Sequence, residues 1–351
     1  MKSGISGEDL PQVILSSCTG KQRFKKVIHQ QALTTRKRYV GEDAQRMRGV
    51  LEIAYPMEHG AVTDWEGLIE LMEYSFARLS VDTKERPHMM TKHMETSRAH
   101  AEKLTEIMFE RFSVPAFFVY PQPVLSLYGT GYFSGIVVDV GDGVTQIVHV
   151  FDGYGLEESV FRWDFGGSDV SSYLGRLLGE KGYQFCDGDR HIMEMIKEKM
   201  GFLTLDYKRD TKLKEEIDYK LPDGHLIKIG TERFRCGECL FDPSLVGLEA
   251  PGVHQLIYET VVKSPIDIRK DCSKYIRLIG GTTLYKGFKE RIEKELCDLG
   301  LGVDVIAHPE RHLLAWKGGS FVAGYSLFCG MWITTPEYAE SGPGVVHRKC
   351  F

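Results

Sequence analysis

A short acidic stretch between two apolar runs contains residue types that could do chemistry. In GIVVDVGDGVTQIVHV, residues 135–150, β-branched runs flank Gly-Asp-Gly at 141–143, which predicts a strand, a tight turn and a second strand. Glycine tolerates the dihedral angles that let several backbone N–H groups face one side of a turn, where they bind anions such as phosphate. Asp139, in the first strand, could then hold a water molecule of a bound Mg²⁺. Taken alone, the pattern favours a simpler interpretation, a common Asp-Gly hairpin with an acid that faces solvent.

A second glycine-containing turn has the position of a ligand site in an α/β protein. In LIGGTTLYKG, residues 278–287, an apolar strand ends at Gly280 and Gly281, and a helix follows the threonines. Ligands of α/β proteins bind at the carboxyl ends of strands, where glycine lets them approach the backbone. The sequence is neither a Walker loop nor a G-x-G-x-x-G fingerprint. A helix N-terminus that needs glycine only for packing explains the pattern equally well.

Two further groups of polar residues have weaker signals. Glu194, Lys197 and Glu198 have i, i+3, i+4 spacing and could contact the polar edges of a nucleoside. In isolation, surface ion pairing is the more common explanation of that spacing. Gln122 lies between two prolines and could orient a hydrolytic water molecule, as glutamine does in other nucleotide hydrolases. A turn side chain that bonds to the backbone is the alternative.

The elements that would position these residues alternate between strands and helices. Residues 115–129 predict a strand followed by a short helix, and residues 221–230 predict a hairpin. Longer helices are predicted, from spacing and capping residues, at 64–79 with Asp64 as N-cap, 97–112, 168–183 with Ser168 as N-cap, and 188–202. This alternation predicts the α/β class.

Length and composition exclude several classes of protein. The 351 residues suggest two or more domains, and 42% hydrophobic and 26% charged residues are typical of a globular protein. A formal net charge of −5 gives no support to nucleic-acid binding, and no run approaches the roughly 20 apolar residues of a membrane span. The eight cysteines are scattered, and the C-x-x-C of Cys236 and Cys239 has no second pair to complete a zinc site. With no apolar signal-peptide core, we expect a soluble, intracellular protein with reduced thiols.

Many motifs along the chain together resemble those of the actin family. They follow one another from about Lys2 to Phe351, and so long a collinear series is specific. The matching segments are YVGEDAQRMRGVLEIAYPMEHG, IMFERFSVPAFFVYPQPVLSLY, DVGDGVT, IKEKMGF, LPDG with ERFRC, DIRKD, GGTTLYKGF, PER and the tail EYAESGPGVVHRKCF. The final HRKCF resembles conventional actins or close actin-like proteins more than distant actin-related ones. The resemblance implies an α/β, actin-like fold, shared with heat-shock chaperones and sugar kinases, with two lobes around a nucleotide cleft.

The resemblance also implies four subdomains. The first lobe would contain a large subdomain, residues 1–18, 56–129 and 314–351, and a small one, residues 19–55. The second lobe would contain a large subdomain, residues 130–165 and 249–313, and a small one, residues 166–248.

The resemblance assigns a nucleotide site residue by residue. Asp139 matches the acid that orders the water molecules of Mg²⁺, with Ca²⁺ as an alternative metal, and Gln122 matches the glutamine that positions the attacking water. Lys2 matches a lysine that contacts phosphate, and Gln146 stands where the family has a histidine near the attacking water. The remaining contacts to ATP or ADP would be Asp142, Gly143, Val144 and Thr145 in the second phosphate loop, Gly167 on the ribose side, and Lys197, Glu198, Gly281, Thr282, Leu284 and Tyr285 near adenine and ribose.

The function implied is that of an ATP-binding cytoskeletal protein of the cytoplasm that forms or joins actin-type filaments, with slow ATP hydrolysis as a timer. Expected partners are further copies of the chain, other actin protomers and actin-binding proteins, with no nucleic acid and no membrane insertion. The alternative is a specialised actin-like structural protein with little or no nucleotide turnover, so we expect at most a weak ATPase. A sugar kinase of the same broad fold is a distant third hypothesis, because the motifs match actin itself.

Several positions depart from the family pattern. The sequence begins at the segment that comes after the first phosphate loop in the family, so either this start truncates a longer protein or ATP binding is weak or absent. Gln146 replaces the histidine, Glu194 an arginine beside adenine, and His312 a lysine on the same rim, which together predict slower hydrolysis than in conventional actin. Residues 29–38 are divergent and basic where the family has its polymer-contacting loop, so the resemblance extends to the fold but not to these self-assembly contacts.

Overall fold

The structure is a computed structural model that describes residues 1–22, 38–185, 189–212, 215–272 and 274–350. The divergent basic segment 29–38 therefore lies outside the described residues, except for Arg38. The chain divides into two compact units, Met1–Tyr132 with Leu313–Phe351, and Phe133–His312. The division into four subdomains stays a prediction.

Short strands and helices alternate along the described chain, which confirms the α/β class. In chain order the strands are β1 (Lys2–Ser3), β2 (Val13–Ile14), β3 (Thr19–Gln22), β4 (Tyr39–Val40), β5 (Leu51–Ala54), β6 (Met57–Glu58), β7 (Ala61–Val62), β8 (His88–Lys92), β9 (Ala116–Pro121), β10 (Gly135–Val140), β11 (Thr145–Phe151), β12 (Tyr154–Gly155), β13 (Phe161–Trp163), β14 (Ile217–Lys220), β15 (Leu226–Ile229), β16 (Tyr275–Ile279), β17 (Asp304–Ala307) and β18 (Ile333–Thr334). The α-helices are α1 (Glu42–Arg46), α2 (Trp65–Leu79), α3 (Arg98–Glu106), α4 (Gln122–Tyr128), α5 (Gly167–Glu180), α6 (Arg190–Met200), α7 (Tyr207–Asp210), α8 (Glu232–Glu238), α9 (Val253–Lys263), α10 (Ile266–Cys272), α11 (Phe288–Asp298), α12 (Leu314–Ala323), α13 (Thr335–Ser341) and α14 (Val346–Lys349). In the part of the chain that is described, no helix has both the length and the apolar character needed to cross a bilayer.

The second unit is built on a six-stranded sheet with the order β12-β11-β10-β16-β17, and β13 also pairs with β11. Strand β10 pairs antiparallel with β11 and parallel with β16. Ile136, Val138 and Val140 pack into a core to which α5, α9 and α11 also contribute. On the opposite face of β10, Val137 and Asp139 are buried too. A continuous apolar run is typical of a strand covered on both faces, so Asp139 is an acid in a strand without a solvent face.

The first unit contains a three-stranded sheet with the order β18-β9-β8 and a second one with the order β4-β3-β5. Helix α2 begins as predicted, because the Asp64 side chain accepts a hydrogen bond from the Gly67 N–H (3.1 Å). Helix α4 follows β9 directly and begins at Gln122. It packs closely on α12, where a Cβ at Gly318 would lie 1.7 Å from the Leu125 carbonyl oxygen. Backbone contact between these helices therefore holds the helix that presents Gln122.

An ion pair joins the last two helices of the first unit and strongly lowers the pKa of its carboxylate. Both oxygens of Glu337 accept hydrogen bonds from Lys349 Nζ (2.8 and 2.9 Å), and one also accepts from the Thr334 N–H (2.8 Å). The bonds from Lys349 and from Thr334 lower the pKa of Glu337 to about 2. This pKa lies below the ordinary value of 4.5. The ion pair therefore stabilises the folded state fully above pH 4.5, and the stabilisation is lost as the pH falls toward 2.

We expect Glu337→Gln to lower the free energy of unfolding by about 0.5–1 kcal/mol at neutral pH, because the carboxylate is partly exposed and glutamine still caps α13. The difference from the unchanged protein should shrink steadily below the ordinary carboxyl pKa. Urea unfolding of both proteins at a series of acidic pH values measures it. A difference that stays constant as the pH falls would contradict the role of the charge.

Candidate functional site

Two turns of the second unit meet at the ends of neighbouring parallel strands. In the pairing of β10 with β16, Asp139 lies beside Ile279, so the two strands end at the same edge of the sheet. The turns that follow them are in direct contact, because Thr282 Oγ1 donates a hydrogen bond to the Gly141 carbonyl oxygen (2.7 Å). The structure thus brings together both glycine turns that the sequence singled out, at the edge where α/β proteins bind ligands.

The start of α5 also holds the first turn. The Gly167 N–H donates to the Gly141 carbonyl oxygen (3.0 Å), and the Ser168 N–H donates to that of Asp142 (2.7 Å). The predicted N-cap at Ser168 is wrong, because Gly166 is the N-cap and α5 begins at the next residue. A Cβ at position 166 would lie 2.6 Å from the Asp142 carbonyl oxygen, so the close approach of the turn requires glycine there.

Gly167 lies where four segments meet: the first turn, α5, α6 and the second turn. A Cβ at this position would lie 2.5 Å from Thr282 Oγ1, 3.1 Å from Lys197 Nζ and 3.4 Å from Asp142 Oδ1. Lys197 Nζ donates a hydrogen bond to the Gly167 carbonyl oxygen (2.7 Å), and the lysine is only 7% exposed. Surface ion pairing, the simpler interpretation of the charges on α6, is therefore wrong for this lysine.

Asp139 is buried beside Gly280 and Gln146. It is 4% exposed, so the simpler interpretation of a solvent-facing acid is wrong; the strand that carries it is covered on both faces. Gln146 lies opposite Asp139 in the β10–β11 ladder, so the two side chains leave the same face of the sheet. Gly280 has a φ of +88°, and a Cβ there would lie 2.6 Å from Asp139 Oδ1. Only glycine fits against this carboxylate, whose oxygens are of the kind that Mg²⁺ prefers.

Arg311 holds the second turn, although the sequence did not indicate it as a site residue. Its Nε donates to Thr283 Oγ1 (2.8 Å), and its Nη2 donates to the Thr283 carbonyl oxygen (2.6 Å). Thr283 is fully buried and donates in turn to the Gly280 carbonyl oxygen (2.8 Å). The PER motif that ends at Arg311 is the sequence signal from which this supporting role could have been found.

Arg190 is a second residue that sequence reasoning missed. Its Nη2 donates to Asp142 Oδ2 (2.9 Å), and its Nε donates to Glu194 Oε1 (3.1 Å). Burial would raise the pKa of Glu194, but a hydrogen bond from His191 and the bond and charge of Arg190 outweigh it and hold the pKa below its usual range. The i, i+4 spacing of Arg190 and Glu194 is readable from the sequence, whereas the contact with Asp142 spans 48 positions.

Three other predicted residues of this unit are buried. Tyr285 packs closely on Gly201, its hydroxyl group lies 3.7 Å from Cys236 Sγ, and burial raises its pKa well above the usual value. Val144 directly precedes the return strand, which begins at Thr145, and Thr145 Oγ1 donates to a backbone carbonyl next to α5 (2.8 Å). These residues build the walls around the two turns.

The remaining predicted residues differ in exposure and in the unit to which they belong. Gly143 is half-buried in the first turn. Four of them are exposed, namely Lys2, Glu198, Gly281 and Leu284. Lys2, in β1, and Gln122, the first residue of α4, belong to the first unit, whereas every other predicted site residue belongs to the second.

A protein-family model described as Actin matches residues 1–351. The match spans the entire chain, so it includes both units and every residue of the candidate site. It agrees with the series of motifs from which the resemblance was inferred.

Proposed function

The chain belongs to the actin family, and from that membership we propose that it binds ATP or ADP with Mg²⁺ and forms or joins actin-type filaments in the cytoplasmic cytoskeleton. Its partners would be further copies of the chain, other actin protomers and actin-binding proteins. The observation that supports nucleotide binding most is the junction at Gly167, where two turns, α5 and Lys197 leave no room for a Cβ. The positive end of the α5 dipole lies at this junction and would suit a phosphate group, and Lys197 would add a positive charge on the ribose side.

Each residue of the second unit would have a separate role. The N–H groups of the first turn, residues 142–144, would bind phosphate oxygens, and Asp139 would hold water molecules of the metal. Bound Mg²⁺ would neutralise part of the phosphate charge. Lys197 would contact the ligand on the ribose and adenine side, and Tyr285 would form part of the wall there. The absence of a Cβ at Gly280 leaves room for the carboxylate of Asp139 at this position.

Hydrolysis would be slow in this proposal. Gln122 would orient the attacking water and Lys2 would contact phosphate. Gln146, opposite Asp139 in the sheet, carries an amide that cannot take up a proton at neutral pH. This observation supports the second candidate function, a specialised actin-like structural protein with little or no nucleotide turnover.

Calorimetry and sedimentation of the purified chain test the proposal. We expect MgATP and MgADP to bind at one site with a Kd of about 1 μM or lower, corresponding to about −8 kcal/mol. We also expect ATP to increase the fraction of protein that pellets at high speed, with slow release of phosphate. Binding without ATP-dependent pelleting would support the second candidate. If neither MgATP nor MgADP gave binding heat, the proposal that the chain binds nucleotide would be contradicted.

A further inference from the structure

The candidate site contains two carboxylates where an anion would be repelled. Glu194 lies on α6, three residues before Lys197, and its side chain is 25% exposed. The lowered pKa of Glu194 keeps it ionised at neutral pH. Asp142, in the first turn, presents a second carboxylate that is 62% exposed. Asp142 in the proposed phosphate turn and Glu194 on the side assigned to ribose and adenine would both weaken the binding of a polyphosphate by like-charge repulsion.

A single guanidinium contacts both of these acids. Arg190 Nη2 lies 2.9 Å from Asp142 Oδ2, and Arg190 Nε lies 3.1 Å from Glu194 Oε1. The planar fork of a guanidinium has donors on two edges and can bridge two carboxylates, which the compact ammonium group of lysine does less well. Because Arg190 and Glu194 are one helical turn apart, α6 itself orients the side chain that reaches the turn.

The charges along this edge therefore alternate in sign. Asp142 is negative, Arg190 positive, Glu194 negative and Lys197 positive, and each arginine–acid contact is within hydrogen-bond distance. Lys197 Nζ is hydrogen-bonded to the Gly167 carbonyl oxygen (2.7 Å). Among the described residues, Arg190 is the cation that lies within hydrogen-bond distance of both carboxylates. Removing Arg190 would take away the ion pair of Asp142 and would leave Glu194 with only His191 and the nearby charge of Lys197.

We infer that Arg190 is a charge-compensating residue of the nucleotide site, which neutralises Asp142 and Glu194 so that a helix carrying an acid can border a polyphosphate. This inference rests on the proposed nucleotide-binding function and adds a residue and a physical role to it. Arg190 acts through Asp142 and Glu194, so it is a positioning residue rather than a catalytic one. Its effect should increase with the negative charge of the ligand, since the repulsion that it removes increases with that charge.

Equilibrium binding of MgATP, MgADP and adenosine to variants of the full chain tests this role. We expect Arg190→Ala to weaken MgATP binding about tenfold, MgADP binding less, and adenosine binding by no more than about twofold. Arg190→Lys keeps the charge but not the fork, so it should lose about threefold for MgATP. The double variant Arg190→Ala/Glu194→Gln should recover most of the lost affinity, because one repelling carboxylate is then neutral.

Arg209→Ala is the matched control. Arg209 is a 75% exposed arginine of the same unit that pairs with Asp210 on α7, so its removal changes the net charge equally. We expect its affinities to match those of the unchanged chain. Equal losses for adenosine and MgATP in Arg190→Ala, or no recovery in the double variant, would overturn the inference. Failure of the unchanged chain to bind any of the three ligands would overturn the proposed function and this inference with it, whereas binding insensitive to Arg190 overturns only the inference.

Discussion

Asparagine in place of Asp139 is expected to weaken MgATP binding by at least about 100-fold, or about 2.7 kcal/mol, while the chain stays folded. The substitution keeps the size of the side chain and removes its charge in a position that is only 4% exposed. At an effective dielectric constant near 20, unit charges about 4 Å apart interact by about 4 kcal/mol, so losing one charge near a divalent metal accounts for an effect of this size. The loss should depend on the metal, and in excess chelator both proteins should bind ATP equally weakly.

Asp152→Asn is the control for this substitution. Asp152 follows β11 at the other end of the same hairpin and lies 3.3 Å from Ser134 Oγ at the surface. Its φ of +46° is left-handed, and asparagine tolerates that conformation. We expect calorimetry to give unchanged MgATP binding for Asp152→Asn. A similar loss in both variants, or undiminished binding in Asp139→Asn, would contradict the role assigned to Asp139.

The elements of the site were predictable from the sequence because their signals are local. The hairpin around residues 141–143 follows from β-branched runs on either side of glycines, and β9 with α4 follows from an apolar run and its prolines. The turn at Gly280 is likewise marked by its own glycines. Each of these patterns depends on residues that are adjacent in the chain, so tertiary structure was not needed to read them.

The partners of the polar groups were not predictable, because they come from distant parts of the chain. Lys197 has the spacing of a surface charge, but its partner, the Gly167 carbonyl, is 30 positions away on α5. Ser168 is a better N-cap than glycine by propensity, yet the approach of the first turn requires Gly166. In both cases tertiary contact overrode a local preference. The roles of Asp139 and Gln122 toward a nucleotide came from the family resemblance and remain proposals.

The largest effect on stability is expected at Arg291, which connects α8 with α11 in the second unit. Its side chain is 8% exposed, and two of its nitrogens donate to the two carboxylate oxygens of Glu238 (2.9 and 2.7 Å). It also donates to the Thr204 carbonyl oxygen (2.7 Å) and to Glu295 Oε1 (2.6 Å). Glu238 is 6% exposed, so the pair depends on its own hydrogen bonds rather than on water.

We expect Arg291→Met to lower the free energy of unfolding by about 3–5 kcal/mol, because it leaves the buried carboxylate of Glu238 without this partner while keeping an apolar stem of similar length.

Lys289→Met on the same helix is the control. It breaks a more exposed pair with Glu293 (3.6 Å) and should lower the free energy of unfolding by less than about 0.5 kcal/mol. The double variant Arg291→Met/Glu238→Leu should recover much of the loss, since the buried carboxylate of Glu238 is then gone and only the more exposed Glu295 has lost its partner. Urea unfolding measures all three variants. A loss below about 1 kcal/mol in Arg291→Met would show that water or a neighbouring group solvates Glu238 instead, and a double variant no more stable than the single one would show that packing, not charge, dominates at this position.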